Sequence, residues 1–341
     1  MVTCSLRSDP NLFRAALVSL GALGIIIRLK MRAAQHYNIE HTTEIVSLSR
    51  FLTEYNQIWT SATYVKAWWW PYSQEVVVWR GNRTQSPSSP PRSAGWWRNL
   101  QLGRKIHEMS LFLLTHAPSH LPWFEKVLFR ALFPADEILK SGPVIGNPHE
   151  ALQIDCLFSQ YVDEWAIALN DGPAAIKRLD NWIRFQDTST RTGIPMDTDR
   201  AVFVHAPIEI RVTTGVGDYA YLSPAYNAPT PLVYIGVTMY RPYYTPTAYR
   251  QYFLTYEHLM RMYKGKPHWA KQHRMGWKEA REVFGEGMEK WLRVRERVDP
   301  DGMFVNGFIK RHLLGNVDDR VGVGTLDGES GRLYKRFKAA L

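Results

Sequence analysis

Glu209 and Arg211 are the residues whose types and spacing point most directly to chemistry. They lie two apart within residues 201–214, a β-branched, apolar stretch that predicts a strand. Side chains two apart on a strand point to the same face. A carboxylate and a guanidinium on one face can accept a hydrogen bond from a ligand hydroxyl and donate one to a ligand oxygen. The same pattern is typical of a solvated cross-strand ion pair, and spacing alone leaves both interpretations open.

The common motifs of nucleotide and metal sites are incomplete in this chain. Residues 215–220 match a G-x-G-x-x-A dinucleotide motif, but prolines within 224–231 follow where that motif requires a helix. We therefore expect a loop there. His116 and His120 have the spacing of metal ligands on a helix, but Pro118 lies between them, so no metal site is predicted.

The hydrophobic patterns predict an α+β fold, a largely antiparallel sheet flanked by helices. Strands are predicted at residues 25–31, 37–48, 75–79, 201–214 and 231–240, and one strand or a strand pair at 152–169. Helices are predicted at residues 10–20, 100–133, 174–185, 247–263 and 276–298. Pro118 and Pro122 should divide the second of these helices into two pieces. Asp9 should cap the first helix, and the Pro-, Gly- and Ser-rich residues 80–94 should form a loop.

Composition limits the class of protein. The 341 residues, 45% hydrophobic and 22% charged, are ordinary for a globular chain of about two domains. Two cysteines cannot form a disulfide framework or a four-cysteine zinc site. The net charge of +10 favours anionic partners, but no reading motif accompanies it, so no nucleic-acid binding is predicted. The longest apolar run, residues 16–27, is too short for a transmembrane helix and lacks a signal-peptide cleavage site, so we expect an intracellular protein.

The helical stretch at residues 100–133 is unusually apolar. The run LFLL at 111–114 and a second apolar group at 121–132 fit a buried core. The aromatic residues at 123 and 124 also lie close to Lys126 and Arg130, as in helices that insert partly into a membrane surface. Core packing and peripheral membrane contact through 111–133 are therefore the two expected alternatives.

Several stretches together resemble one family of flavoenzymes. Residues 266–271 (KPHWAK) are similar to the K-P-H-W-[GA]-K motif of the aldonolactone oxidases, and 207–211 (PIEIR) to their E-x-R strand. Residues 295–306 (RERVDPDGMFVN) and 311–313 (RHL) resemble the segment that follows the first motif in this family. Residues 153–169 are similar to the fungal-type D-arabinono-1,4-lactone oxidases in particular.

The resemblance implies FAD-dependent oxidation of a sugar 1,4-lactone, of the D-arabinono-1,4-lactone type, by O2 to a dehydro-lactone and H2O2. It implies catalytic and substrate-binding roles for Lys271, Glu209 and Arg211, with the Lys271 cation favouring an alkoxide-like transition state. His268 would contact the substrate or the flavin ring, and Gly24 would be a weaker flavin contact. No metal is implied. The tendency of such enzymes to associate with mitochondrial membranes extends the expected location to that surface.

The resemblance covers roughly residues 1–315 and implies a divided domain organisation. Residues 1–35 would be the remnant of a flavin-binding domain, 36–265 the substrate domain, 266–315 a segment returning to the flavin side, and 316–341 a basic tail. The glycine-rich pyrophosphate loop and the histidine segment that often links the flavin covalently have no counterpart. The chain thus resembles the C-terminal portion of such an oxidase, of the vanillyl-alcohol-oxidase type, with an incomplete flavin domain. The alternative is a truncated, flavin-free relative that binds a lactone or a partner without catalysis.

Overall fold

The computed structural model describes residues 1–89, 101–134, 142–153, 156–185, 202–214 and 220–315. The chain forms two compact units, each assembled from separate stretches. The sheet unit comprises Arg28–Tyr219 and Ser223–Arg274, and the terminal unit comprises Met1–Ile27, Ala220–Leu222 and Met275–Leu341. These boundaries lie near the predicted ones at 35/36 and 265/266. Assignment of the terminal unit to a flavin domain stays a prediction.

Within the described residues the sheet unit contains one eight-stranded sheet, in the order β4-β1-β3-β2-β6-β7-β5-β8. Every neighbouring pair is antiparallel, which confirms the predicted α+β architecture. The strands are β1 (Asn38–Ser47), β2 (Tyr64–Trp70), β3 (Glu75–Thr84), β4 (Val144–Gly146), β5 (Gln160–Ala168), β6 (Ile208–Thr213), β7 (Leu232–Tyr240) and β8 (Lys266–Pro267). β1, β3 and β7 are rich in the β-branched and aromatic residues that fit a pleated surface.

Ten α-helices are assigned within the described ranges. They are α1 (Pro10–Ala16), α2 (Leu48–Thr53), α3 (Tyr55–Thr60), α4 (Gln101–Leu114), α5 (Leu121–Leu132), α6 (Pro148–Leu152), α7 (Gly172–Phe185), α8 (Arg250–Met262), α9 (Trp277–Val298) and α10 (Gly307–Ile309). A π-helical turn, Lys310–Leu314, continues α10. The predicted division of residues 100–133 is confirmed: a 3-10 turn at Pro118–His120 separates α4 from α5, and Pro122 lies in the first turn of α5, where its missing N–H has no helical acceptor.

One face of the sheet packs against α8. Trp165 on β5 and Ile235 on β7 are register partners and both are completely buried. The Tyr256 hydroxyl of α8 accepts a hydrogen bond from the Trp165 amide at 3.0 Å and donates one to the Ile235 carbonyl. Burial of each large side chain of this kind contributes roughly 1.5–3 kcal/mol. The two hydrogen bonds of the Tyr256 hydroxyl depend on angle as well as distance, so they fix the position of α8 relative to β5 and β7.

The opposite face is partly covered by the α4–α5 hairpin. Phe129 of α5 meets Trp70 of β2 edge-on, with ring centroids 5.4 Å apart, in a cluster that also contains Val77. Leu111 and Leu121, one from each helix, pack in a second cluster of buried residues. The inner side of the hairpin is therefore part of the hydrophobic core, which was the first of the two expected alternatives.

The outer side of the same hairpin remains apolar. Leu113 is 60% exposed and Trp123 is 65% exposed. None of the helices in the described ranges has the length and apolar character needed to span a membrane. Peripheral membrane contact through this side stays a prediction.

The terminal unit is held by contacts between its separate stretches. Asp9 caps α1 by accepting from the Leu12 amide at 3.0 Å, which confirms the predicted cap, and it accepts from Arg297 of α9 at 2.8 Å. Trp291 of α9 donates its indole N–H to the Val18 carbonyl at 3.0 Å. These contacts tie the first residues of the chain to α9, which lies nearly 300 positions later.

The prediction of a buried strand at residues 25–31 is wrong. Ile25 and Ile27 are 79% and 71% exposed, and no strand of the described residues pairs with this stretch. Isoleucine-rich composition favours extended backbone, but a buried strand also needs a neighbour for its backbone groups. Composition carries no information about that neighbour.

Several predicted bounds also need correction. Residues 202–207 precede β6 without being part of it, and β3 continues to Thr84, so only the described residues 85–89 of the predicted loop are coil. Within the described part of 152–169 the sheet contains a single strand, β5. The helix predicted at 10–20 ends at Ala16. The glycine motif at 215–219 and the predicted basic tail lie outside the described residues.

His107 and His205 give the sheet unit a pH-dependent stability. Burial lowers the pKa of each imidazole to about 4, and the two charged forms would also repel. The unfolded chain binds these protons near pH 6.5, so stability is lost as the pH falls from about 6.5 towards 4. We expect His107→Phe, which suits the rings of Phe158 and Tyr240 around it, to become more stable relative to wild type by on the order of 2 kcal/mol between about pH 7 and about pH 5.

Urea unfolding of both proteins at the two pH values measures this difference. The control Phe124→Leu perturbs the same aromatic cluster without a titrating group, so its stability difference from wild type should not depend on pH. A pH-independent difference for His107→Phe would show that the imidazole is already accessible to protons in the folded state.

Candidate functional site

The sheet register brings polar residues of β2 and β5 to the same face as Glu209 and Arg211 on β6. Glu209 pairs with Gly236 on β7, and Gly236 pairs with Glu164 on β5. Arg211 pairs with Lys66 on β2. Register partners share one face of a sheet. The two carboxylates therefore lie in one row across the strands, and the two cations lie in the next row.

Arg211 forms its ion pair with Glu164. Its Nε donates to Glu164 Oε1 at 3.1 Å, and its Nη2 donates to the same oxygen. The Glu164 side chain is only 3% exposed, whereas that of Arg211 is 39% exposed. A cross-strand ion pair thus exists at this position, but its acidic partner is on β5 and not two residues away on β6.

Gly236 leaves room for that ion pair. β5 and β6 both flank β7, so their backbones are about 9–10 Å apart. A Cβ at position 236 would lie 3.7 Å from Glu164 Cγ and 3.7 Å from the Glu209 carbonyl, so one methyl group would fill the gap between them. With only hydrogen there, the Arg211 guanidinium crosses β7 to its partner.

The Glu209 carboxylate on this face has an oxygen without a hydrogen-bond donor among the described residues. This oxygen, Oε1, is buried. Burial raises the pKa of its carboxyl, and the negative charge of Glu164 raises it further, while Arg211, Lys66 and Lys271 act in the opposite direction. A buried carboxylate oxygen without a donor favours a ligand that brings one.

His268 and Lys271 lie on the 266–274 segment, which runs along the outer edge of β5. β8, its first two residues, pairs with β5. The His268 amide then donates to the Glu164 carbonyl at 2.8 Å, and the Lys271 amide donates to the His268 carbonyl at 2.9 Å in a turn. This turn places His268 and Lys271 near the carboxylate row, because the charges of Glu164, Lys271 and Arg211 all act on the His268 imidazole.

A hydrogen bond also fixes the orientation of the His268 ring. Its Nδ1 accepts a hydrogen bond from the Ala270 amide at 3.2 Å, so the neutral ring carries its proton on Nε2. Burial is the largest cause of its lowered pKa, and the Lys271 and Arg211 charges lower it further, while Glu164 raises it. The neutral ring therefore offers an N–H donor and not a second cation.

Lys66 was not predicted from the sequence. Its Nζ donates to the Leu152 carbonyl at 2.7 Å and lies 5.4 Å from the centre of the Trp79 ring. Burial lowers its pKa, while the Glu209 charge raises it. The available signal was a single lysine inside the otherwise apolar run YVKAWWW of β2. Such a residue indicates a polar position on one face of a strand.

Of the sequence-predicted residues, Glu209, Arg211, His268 and Lys271 come together, and Gly24 belongs to the other compact unit. Gly24 has a φ of +113°, which explains why glycine stands there, and no atom lies within 4 Å of its Cβ position. Across the described ranges no three His, Cys, Asp or Glu side chains are grouped to hold a metal ion. The combined face, with acceptors in one row and donors around them, suits a neutral ligand with several hydroxyls and a carbonyl oxygen.

The charges around His268 give a direct measure of this geometry. Glu164→Gln should lower the pKa of His268, because the Glu164 charge raises it, and Lys271→Met should raise it, because the Lys271 charge lowers it. NMR titration of labelled histidine measures both shifts. Lys177→Met removes an exposed lysine of α7 and should leave the His268 titration unchanged. Equal titration in all of these proteins would place His268 away from the two charges.

Comparison with known proteins identifies the family of this chain. A family model described as D-arabinono-1,4-lactone oxidase matches residues 29–312. A D-arabinono-1,4-lactone oxidase of Eremothecium gossypii is 30% identical over 354 residues, which cover 87% of this chain and 64% of that protein. The one of Kluyveromyces lactis is 30% identical over 357 residues, covering 88% and 66%. The chain therefore spans less than two thirds of the length of these relatives.

Solved structures show the same fold at low identity. Cholesterol oxidase from Brevibacterium sterolicum matches with a TM-score of 0.64 and 14% identity, over 89% of this chain and 64% of that one. A solvent-stable cholesterol oxidase matches with a TM-score of 0.62, also at 14% identity, over 88% and 64%. At this identity the likeness concerns the fold alone. The family model, matched across most of the described chain, is the stronger finding, and the chain belongs to the D-arabinono-1,4-lactone oxidase family.

Proposed function

We propose that this chain supplies the lactone-binding face of an enzyme that oxidises D-arabinono-1,4-lactone, or a close sugar 1,4-lactone, with FAD and O2 to the dehydro-lactone and H2O2. The observation that carries the proposal is the buried Glu209 Oε1, which has no hydrogen-bond partner among the described residues and lies in the field of the Arg211 and Lys271 charges. Family membership supports the same reaction. The activity belongs to the proposal because the relatives are longer than this chain.

Glu209 is the group that we assign to the reacting hydroxyl. Oxidation of a secondary alcohol removes a proton from oxygen and a hydride from carbon. The free Oε1 of Glu209 can accept the hydroxyl hydrogen, and its raised pKa makes the carboxylate a stronger proton acceptor than an exposed glutamate. The desolvation that raises this pKa also strengthens each hydrogen bond made there.

Lys271 and Arg211 are assigned to the substrate oxygens. A cation near the reacting oxygen stabilises the negative charge that develops as the proton leaves. Arg211 is already held by Glu164, so its guanidinium presents its remaining N–H groups to the lactone ring or carbonyl oxygen in a fixed orientation. His268 adds one donor through Nε2.

FAD would supply the hydride acceptor when bound, and we assign none of the described residues to its pyrophosphate. His268 is the described residue suited to meet the flavin ring, through its N–H. We therefore assign this chain's described residues to the substrate and derive no step at the flavin.

The alternative function is a flavin-free protein that binds a lactone or a partner. Glu209, Arg211 and Lys271, to which the family resemblance assigns catalytic roles, favour the oxidase. The two proposals differ in one observable. Both predict lactone binding that depends on Arg211, but only the oxidase predicts peroxide formation when a flavin-binding portion is present.

Turnover of the chain joined to the flavin-binding portion of the Eremothecium gossypii relative tests the oxidase. Arg211→Ala, Glu209→Gln and Lys271→Met should each lower kcat/KM about a hundredfold, because each removes a charge-assisted contact that matters mainly in the transition state. The flavin spectrum should be nearly unchanged. Arg211→Lys should rescue only part of the loss, because an ammonium cannot replace the planar fork that reaches Glu164.

Arg281→Ala is the matched control for these charge removals. Arg281 makes a longer ion pair, 3.6 Å, with Glu289 on α9, and both side chains are 46% exposed. Its loss should change turnover by less than about twofold. Wild-type peroxide production in all three site variants would remove them from the active site. Arg211-dependent lactone binding without any peroxide would favour the flavin-free alternative.

We also propose peripheral contact of the α4–α5 hairpin with an anionic membrane surface, and with it an intracellular location at a mitochondrial membrane. The exposed Leu113 and Trp123 support this contact. The inner side of the hairpin already packs in the hydrophobic core, and these two side chains lie outside that packing. Lys126 and Arg130, both exposed on α5, lie within the reach of lipid phosphates when Trp123 enters the headgroup region.

Flotation with vesicles tests this contact. The wild-type chain should float with vesicles that contain anionic lipid, and a Leu113→Gln, Trp123→Gln double variant should lose most of the floated fraction, since each loses its apolar contact. Leu254→Gln, which changes a 47% exposed leucine on α8, is the matched control and should float as wild type does. A wild-type chain that stays in the soluble fraction contradicts the proposal.

A further inference from the structure

Beyond the pairing of β8 with β5, the 266–274 segment is joined to β5 by two further backbone hydrogen bonds. The His268 amide donates to the Glu164 carbonyl at 2.8 Å, and the Gln272 amide donates to the Val162 carbonyl at 3.0 Å. The two acceptors flank Asp163. Backbone hydrogen bonds at the edge of a sheet are weak restraints for a segment that carries two site residues, since edge segments open easily.

Asp163 occupies the middle of this contact and points to the opposite face, because neighbouring side chains on a strand alternate. It is completely buried, as is Glu257 of α8. Its Oδ1 accepts from the Trp165 indole N–H at 2.9 Å. Burial raises the pKa of Asp163 well above its usual range, and Glu257 raises it further by its charge and by a hydrogen bond with the protonated acid.

Glu257 connects this carboxyl to the end of the segment. Its Oε1 accepts from Arg274 Nη1 at 2.9 Å, and its Oε2 accepts from Arg261 Nη1 at 3.1 Å. Arg274 is the last residue of the 266–274 segment, and its side chain is only 20% exposed. The segment is therefore tied to β5 through its backbone and to α8 through Arg274.

The chemistry of these contacts fixes direction as well as distance. Hydrogen bonds between ionised groups depend steeply on angle and are about twice as strong as neutral ones. Removing one partner of a buried ion pair leaves a charge that the interior does not solvate. A packed leucine in place of Arg274 would hold the segment near α8 but would leave its rotation free.

We propose that Glu257 and Arg274 are positioning residues that hold the 266–274 segment so that His268 and Lys271 face the carboxylate row of β5 and β6. This inference depends on the proposed function at one point only, the identification of His268 and Lys271 as site residues. Neither residue touches the substrate in this assignment. They act through the backbone of the segment.

Amide hydrogen exchange and the His268 titration of the full chain test this proposal without any turnover. Glu257→Gln and Arg274→Gln should each accelerate exchange at the His268 and Gln272 amides at least about tenfold relative to the amides of β7, and should shift the His268 titration towards that of an exposed imidazole. Arg274→Lys keeps a cation, so its exchange rates and its His268 titration should lie between those of these variants and wild type. No flavin or lactone is needed, so failure of the oxidase proposal leaves this test intact.

Asp180→Asn is the matched control. Asp180 is a second buried carboxylate, 6% exposed, that pairs with Arg184 at 2.7 Å along α7. Loss of the Asp180 charge should leave the exchange rates of the His268 and Gln272 amides unchanged relative to those of β7. If Glu257→Gln does not fold, Arg274→Gln and Arg274→Lys decide. The proposal is overturned if the segment amides and the His268 titration match wild type, or if exchange rises equally throughout β5 and β7, because the network would then stabilise the sheet and not the segment.

Discussion

The ion pair of Arg211 with Glu164 across β7 is the interaction on which the rest of the candidate site depends. It needs β6 and β5 on either side of one strand and a carboxylate that is almost fully buried. A buried carboxylate without a cation is costly, so the pair and the strand order stabilise one another. Glu209, in the same row, then lies beside a cation that is already engaged, which leaves its own oxygen available for a ligand.

The register of the antiparallel sheet makes this arrangement specific. A slip of one residue in β6 would turn Glu209 and Arg211 towards the face where Trp165 and Ile235 are completely buried. It would also turn Ile210 out of that face. Both changes oppose folding, because one buries charges without partners and the other exposes an apolar side chain. The hydrophobic face therefore determines where the polar face is, although it takes no part in binding.

The sequence predicts the parts of this site that depend on local spacing. The two-residue spacing of Glu209 and Arg211 predicts their common face, and the 266–271 motif predicts that His268 and Lys271 belong to a functional segment. Glu164 is 47 residues from its partner, and no local pattern indicates which acidic residue will lie across β7 from an arginine. The wrong strand at 25–31 has the same cause, because strand formation depends on a neighbour elsewhere in the chain. Helices such as α7 and α9, whose hydrogen bonds are internal, are predicted well.

Asp163 and Glu164 show how two adjacent residues serve both faces of one strand. Alternation along β5 sends Glu164 to the site face, where it holds Arg211, and Asp163 to the helical face, where it meets Glu257. The carbonyl of Glu164 also accepts from the His268 amide. Movement of β5 at this point would therefore displace the Arg211 guanidinium and the 266–274 segment together. Because acceptors and donors of the site are fixed to the same few residues of backbone, their mutual geometry is kept even if the edge of the sheet moves as a whole.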